Sequence, residues 1–105
     1  MRAGRLEPSV DALVIALCLD YERREQAIAE HTAKRRTDTE YRYLNFNIYD
    51  AVVEISGERD ARAYISEIGR KIGYAKSALD HLSEVTYKEY KMLIKENIAK
   101  RLYLK

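Results

Sequence analysis

The chain has 105 residues, 47% hydrophobic and 34% charged, which fits one globular domain and excludes an extended disordered chain. The formal net charge is +2, but residues 85–105 carry six Lys or Arg against two Asp or Glu, whereas residues 1–50 and 51–84 are each net −1. The single cysteine, Cys18, excludes an intrachain disulfide, and no Cys/His cluster suggests zinc.

The N-terminal stretch MRAGRLEPSVD carries basic residues but no secretory apolar region directly behind them. The longest apolar run, ALVIALCL from Ala12 to Leu19, is far shorter than the roughly 20 residues needed to cross a bilayer. We therefore expect a soluble, cytoplasmic protein without a membrane partner.

The first predicted element is a long helix from Ser9 to about Lys34, within an N-terminal unit of residues 9–36. Ser9 follows Pro8 and is placed to cap the helix start. One helical stripe carries Val10, Val14, Leu17, Tyr21, Arg24 and Ile28. The run ALVIALCL is apolar on every side, so it should be buried all round, either by other helices or by a second copy. The second of these alternatives suggests that this helix supports dimerisation.

Two further helices are predicted in the middle of the chain. Thr37 and Glu40 have capping-box spacing and begin a helix that ends at Gly57, where a left-handed residue suits the C′ position. The next helix restarts at once and ends at Gly73. No repeat or linker interrupts the sequence, so all 105 residues are predicted to form one all-α domain of about five helices.

Residues 68–82, IGRKIGYAKSALDHL, match the pattern of a helix-turn-helix unit, in a helix-turn-helix-like region of about residues 58–105. Ile68 and Ile72 supply the apolar pair of the first helix. Gly69 would let the second helix approach closely, and Gly73 would make the turn. In the alternative interpretation this is an ordinary corner between helices, and Gly69 is only a packing glycine.

The second helix of the unit is predicted from Ala75 to Leu82. Its exposed residues would be Ala75, Lys76, Ser77, Asp80 and His81. In such units the early residues of the second helix face base edges, and its N-terminus faces phosphate. Lys76, Ser77 and His81 are therefore candidate DNA contacts, whereas Asp80 does not suit phosphate.

Ser83 caps a last predicted helix that runs to about Tyr103. Its buried stripe comprises Tyr87, Tyr90, Ile94, Ile98 and Leu102. Beside that stripe, Lys88, Lys91 and Lys95 fall within one narrow arc, and hydroxyls lie near the helix start. These residues could hold a phosphate backbone. The candidate DNA contacts in this helix are Thr86, Tyr87, Lys88, Lys91 and Lys95.

The same segment resembles a known family. Ser83, the pair Thr86-Tyr87, Lys88, Tyr90, Lys91, the pair Ile98-Ala99 and Leu102 are similar to the C-terminal ends of small phage regulators of late transcription, the ArpU and RinA types. The resemblance covers about residues 61–105. It implies a transcription-regulatory role on DNA for a phage- or prophage-encoded protein. RNA polymerase is a further candidate partner. The resemblance also implies that the Ser-x-x-Thr-Tyr helix reads DNA, which competes with the segment 75–82.

The leading hypothesis is therefore a small DNA-binding transcription regulator that acts as a homodimer on duplex DNA. The rival hypothesis is a helical adaptor or dimerisation protein with no nucleic-acid role, in which the long first helix is the functional surface. The chain carries no catalytic or phosphate-cradling motif, so we expect neither enzymatic activity nor a catalytic residue, metal or cofactor.

Overall fold

Five α-helices and one short 3₁₀ turn make up most of residues 6–104, the part of the chain that the computed structural model describes. The elements are α1 (Pro8–Leu19), α2 (Tyr21–Glu30), α3 (Arg35–Ser56), α4 (Glu58–Gly69), the 3₁₀ turn (Tyr74–Lys76) and α5 (Glu84–Arg101). No strand occurs in this range, so the predicted all-α fold of about five helices is confirmed. The basic residues Arg2, Arg5 and Lys105 lie outside the described residues.

The prediction of one long N-terminal helix is wrong, because the chain breaks at Asp20 into α1 and α2. The guanidinium of Arg24 is buried, and it donates to the Leu17 carbonyl at 2.5 Å and to Asn45 Oδ1 at 2.6 Å. In a continuous helix, the N–H of Tyr21 would take that Leu17 carbonyl. The break therefore supplies the acceptor that the buried cation needs.

Both predicted N-caps in the first half of the chain are also wrong. Helix α1 begins at Pro8, whose fixed φ and missing N–H suit the first helical position, so Ser9 lies inside the helix. Helix α3 begins at Arg35, before the proposed capping box at Thr37. The predicted end of α3 is confirmed, since Gly57 follows it with a φ of +83° that glycine adopts without a Cβ clash.

The core lies among α1, α3, α4 and α5. Helix α3 packs against α2, α4 and α5, while α1 packs against α4 and α5. The largest fully buried side chains are Tyr64, Tyr87, Ile48, Ile65, Ile94, Ile98, Val14 and Val52. The rings of Tyr64 and Tyr87 stack with their centroids 5.6 Å apart and so join α4 to the start of α5.

The predicted helix-turn-helix corner does not form. Helix α4 ends at Gly69, and the left-handed residue is Lys71, with a φ of +56°. The N–H of Lys71 bonds to the Ile68 carbonyl and the N–H of Ile72 to the Glu67 carbonyl, which is the Schellman pattern of a helix end. Gly73 has a φ of −87° and makes no left-handed turn. Gly69 packs against α1 rather than against a second helix.

The predicted recognition helix from Ala75 to Leu82 is likewise wrong. Only Tyr74–Lys76 are helical, as a single 3₁₀ turn, and residues 77–83 form turns and extended backbone. Leu79 is nevertheless buried in the core, as its apolar character predicts. Ser83 does cap α5, because its hydroxyl accepts from the N–H of Thr86 at 3.2 Å. That part of the prediction is confirmed.

Candidate functional site

The buried carboxylate of Glu67 fixes the segment that was predicted to read DNA. Glu67 is 4% exposed and lies on α4. It accepts hydrogen bonds from the hydroxyl of Ser77 at 2.6 Å, from the N–H of Ala78 at 2.8 Å and from the hydroxyl of Tyr87 at 2.7 Å. Three donors around one carboxylate satisfy a buried charge and pin the loop onto α4. Ser77 and Tyr87 are therefore structural partners of Glu67.

The hydroxyl of Tyr87 is held on two sides. It also lies 3.1 Å from the Ile72 carbonyl. Burial, together with the hydrogen bond to Glu67, raises the pKa of Tyr87 to about 12. The phenol therefore stays protonated and keeps its donor role over the physiological range. A group held in this way inside the protein does not face solvent as a phosphate ligand.

Other predicted contacts are also engaged within the chain. His81 Nε2 lies 3.0 Å from a carboxylate oxygen of Asp60 on α4. Thr86 belongs to the cap of α5, where its Oγ1 lies 3.0 Å from the Ser83 hydroxyl. Lys76 is exposed at the end of the 3₁₀ turn. The structure therefore does not bring Lys76, Ser77 and His81 together as one open helical face.

The three lysines of α5 have different surroundings. Lys88 is exposed and pairs with Glu84 at 2.6 Å, one turn earlier on the same helix. Lys95 is half-buried and pairs with Asp11 of α1 at 2.8 Å. Lys91 is half-buried, donates to the Ile72 carbonyl at 2.6 Å, and lies over the Tyr87 ring. Burial, and then the neighbouring ammonium of Lys95, lower the pKa of Lys91.

Lys91 and Lys95 lie close to a third lysine, Lys71, which was not among the predicted DNA contacts. Lys71 follows α4, and it lines one solvent-facing hollow with Lys91 and Lys95. The hollow has a volume of about 230 Å³, and its remaining lining residues are Ile15, Ile68, Ile72 and Gly73. We call it the lysine hollow. Sequence spacing could not reveal it, because Lys71 and Lys91 are brought together only by the packing of α4 and α5.

The outer face of α1 is a second exposed feature. Leu13 and Leu19 are 44% and 60% exposed, and Ala12 and Ala16 between them are exposed as well. Ala12, Ala16 and Leu19 line an open groove of about 350 Å³ whose other lining residues are Pro8, Asp11, Ile15, Gly69 and Lys71. The opposite side of α1 lies in the core. Within the monomer, the apolar segment ALVIALCL is therefore buried on one side only, although the sequence predicted burial on every side.

The described residues show no arrangement suited to metal or thiol chemistry. Between residues 6 and 104 no group of three His, Cys, Asp or Glu side chains could hold a metal ion. Cys18 is buried, and burial raises the pKa of its thiol to about 12, which keeps it protonated and unreactive. Within the same range, no helix is long and apolar enough to span a bilayer.

Comparison with known proteins gives no match: no family model, no curated protein and no solved structure is significantly similar to the chain. The resemblance to the phage regulators, which depends on the C-terminal segment, therefore remains a prediction. Two exposed features of the described residues are the outer face of α1 and the lysine hollow.

Proposed function

We propose that the chain is a self-associating helical adaptor in which two copies pair through the outer face of α1. The observation that carries this proposal is the continuous apolar surface of α1 outside the core, formed by Ala12, Leu13, Ala16 and Leu19. Burying such a surface against an equivalent one removes apolar area from water, at about 25 cal/mol for each Å². A two-fold pair places the same patch of both copies in contact.

The shape of this face suits a close, antiparallel helix pair. Its centre lies near Ala16, and the small side chains of Ala12 and Ala16 let a second helix approach closely. Around a two-fold axis near Ala16, the Ala12 end of one helix lies against the Leu19 end of the other. With the axis near Ala16, residues 13–19 of the two copies overlap, and these seven residues give a contact about 10 Å long.

The charges at the two ends of the face complement each other in this arrangement. Glu7 is exposed at the N-terminal end of α1. Arg70 is exposed next to Cys18 and Leu19, at the C-terminal end. Antiparallel pairing places the Glu7 end of one copy on the same side of the axis as the Arg70 end of the other, with Glu7 extending beyond Leu19, twice for each dimer. Opposite charges at the two ends favour a second copy of the chain as the partner, and they favour the antiparallel orientation.

Sedimentation velocity between about 1 and 500 μM, a range that spans micromolar dissociation constants, tests the pairing. We expect a concentration-dependent dimer for the native chain. Ala16→Glu places two carboxylates at the axis and should leave only monomer. Val85→Glu is the matched control, since Val85 is 75% exposed on α5, and this variant should dimerise like the native chain. A native chain that stays monomeric throughout the range contradicts the proposal.

The orientation is tested separately by disulfide trapping. Ala16→Cys near the axis should cross-link to the same position of a second copy under mild oxidation, because a residue on a two-fold axis meets its own counterpart. Val85→Cys should cross-link only at the background rate. The native Cys18 is buried and should not interfere. Equal cross-linking of the two variants would show that α1 is not the contact.

A DNA-binding regulator is the second candidate function, and one observation favours it. The lysine hollow combines cationic side chains from α5 with Lys71, although no recognition helix forms over residues 75–82. Cationic side chains without base-reading residues support phosphate contact rather than sequence recognition. The hollow shares Ile15 and Lys71 with the α1 groove, whereas Lys91 and Lys95 line the hollow alone.

A further inference from the structure

We infer that the lysine hollow binds a phosphate group, supplied either by a nucleic-acid backbone or by a small phosphate ester. Three lysines, Lys71, Lys91 and Lys95, line one open hollow. An ammonium is a compact point charge with three donors, and lysine is a common ligand of phosphate oxygens.

The charge of the hollow is incompletely balanced by the protein. Asp11 is the only carboxylate with a direct ion pair to these lysines among the described residues, and it contacts Lys95. Lys91 donates to a neutral acceptor, the Ile72 carbonyl, and Lys71 has no ion-pair partner within residues 6–104. Burial is the main cause of the lowered pKa of Lys91; the ammonium of Lys95 lowers this pKa further, and the carboxylate of Glu67 opposes the shift. A bound anion would relieve the repulsion.

The backbone at Lys71 supports the same conclusion. Its φ of +56° lies in the left-handed region at the C′ position of α4, where glycine is the residue with least strain. A lysine at this position costs conformational energy, but it anchors a cation to the rigid end of α4. His31 occupies the corresponding position after α2, with a φ of +54°, and lies outside the hollow. It therefore provides a control for the backbone effect.

The apolar lining and the volume of the hollow suit a phosphate group that is attached to further atoms. Ile15, Ile68 and Ile72 give it an apolar floor, which lowers the local dielectric and strengthens the attraction of ammonium for phosphate. A volume of about 230 Å³ leaves room for the atoms attached to a phosphate as well as for the phosphate itself. Lys88 lies one turn before Lys91 on α5, so a longer phosphate chain could reach it.

The test uses the full chain with two probes, inorganic phosphate and a random 20-base-pair duplex. Phosphate should shift the amide NMR signals around Lys71, Lys91 and Lys95, and duplex binding is measured by fluorescence anisotropy at several salt concentrations. The double variant Lys91→Gln with Lys95→Gln should lower the affinity for each probe that binds by about tenfold or more. Lys100→Gln, an exposed site on the opposite side of α5, should change binding less than twofold.

The outcomes separate the two sources of phosphate. If both probes bind and both depend on the lysines of the hollow, the source is the nucleic-acid backbone, and log K should fall with log salt by about 0.9 for each phosphate contact. If only inorganic phosphate binds, the source is a small ester. If neither probe binds, or if the lysine variants bind as tightly as the native chain, the inference is overturned.

A pair of glycine variants separates binding from folding. Lys71→Gly and His31→Gly should both raise Tm, because each relieves a left-handed side-chain conformation. Only Lys71→Gly should also weaken phosphate binding. Equal affinity in the two variants would contradict a role for Lys71. Lys71 and Asp11, the ion-pair partner of Lys95, also line the α1 groove. Sedimentation velocity of the same variants therefore distinguishes a loss of phosphate binding from a change in dimerisation.

Discussion

Gly69 of α4 lies directly against the backbone of Leu19 at the end of α1. A Cβ atom built at position 69 would lie 2.5 Å from the Leu19 nitrogen and 2.6 Å from its Cα, closer than real Cβ atoms approach other heavy atoms. The absence of a side chain at Gly69 therefore sets the distance between the two helices. This contact, rather than a helix-turn-helix corner, explains why glycine occupies position 69.

Gly69→Ala should destabilise the protein by about 2–3 kcal/mol, because rigid backbone must move to admit the methyl group. The free energy of unfolding, measured by urea titration followed by circular dichroism, checks this value. Gly73→Ala is the matched control. It has an ordinary φ and no atom within 4 Å of its Cβ position, so it should change stability by less than about 0.5 kcal/mol. Equal effects of the two variants would contradict the packing argument.

Replacing either of two adjacent arginines at the break between α1 and α2 should have very different effects on the free energy of unfolding. Arg24→Ala should cost about 2–4 kcal/mol, because it leaves the Leu17 carbonyl and Asn45 without their buried donor and opens a cavity. Arg23→Ala should change stability far less than Arg24→Ala, since its ion pair with Asp20 is exposed and screened by solvent. Urea titration of both variants measures the difference. A small effect at Arg24 would mean that its buried network contributes little to stability.

The stacked rings of Tyr64 and Tyr87 carry hydroxyl groups whose removal should affect stability in different ways. Tyr87→Phe should destabilise by about 1–3 kcal/mol, because Glu67 loses one of its three buried donors. The hydroxyl of Tyr64 is buried and has no hydrogen-bond partner among the described residues. Tyr64→Phe should therefore be neutral or stabilising by up to about 1 kcal/mol. The Tm of each variant, measured by thermal unfolding, checks both expectations. A lower Tm for Tyr64→Phe would indicate a bound water at that hydroxyl.

The thiol of Cys18 should be inert in the native protein. With a pKa of about 12, only about one thiol in a thousand is ionised at pH 9, and the ordinary value is near 8.5. Reaction with an aromatic disulfide reagent should therefore be slow in buffer and fast in denaturant, whereas Val85→Cys should supply one thiol that reacts quickly in both. Native Cys18 reacting as fast as the denatured chain would contradict its burial.

Several elements could be predicted from local sequence signals alone. The buried positions Tyr87, Ile94 and Ile98 of α5 follow from apolar spacing of three and four, and the cap at Ser83 follows from its position before that pattern. The end of α3 at Gly57 follows from the conformational freedom of glycine. These features depend on interactions within one helix, so spacing along the chain is enough to predict them.

The candidate site was harder to predict because its residues are distant in sequence. The DNA hypothesis identified Lys91 and Lys95 but missed Lys71, which joins them only through the packing of α4 and α5. Ser77 and Tyr87 were predicted to be contacts for DNA, yet both donate to Glu67, ten and twenty residues away in the chain. The pair of basic residues after Gly69 was the only available signal for Lys71.

The sequence by itself determined that this protein is helical, where α3 ends and where α5 begins, because backbone hydrogen bonds and apolar periodicity are local. Only the tertiary structure decided that the first helix breaks at Asp20 and that residues 75–82 are not a helix. In both places a buried polar group, the guanidinium of Arg24 or the carboxylate of Glu67, needs partners from distant residues. Satisfying those buried groups outweighs the helical preference of the segments around them.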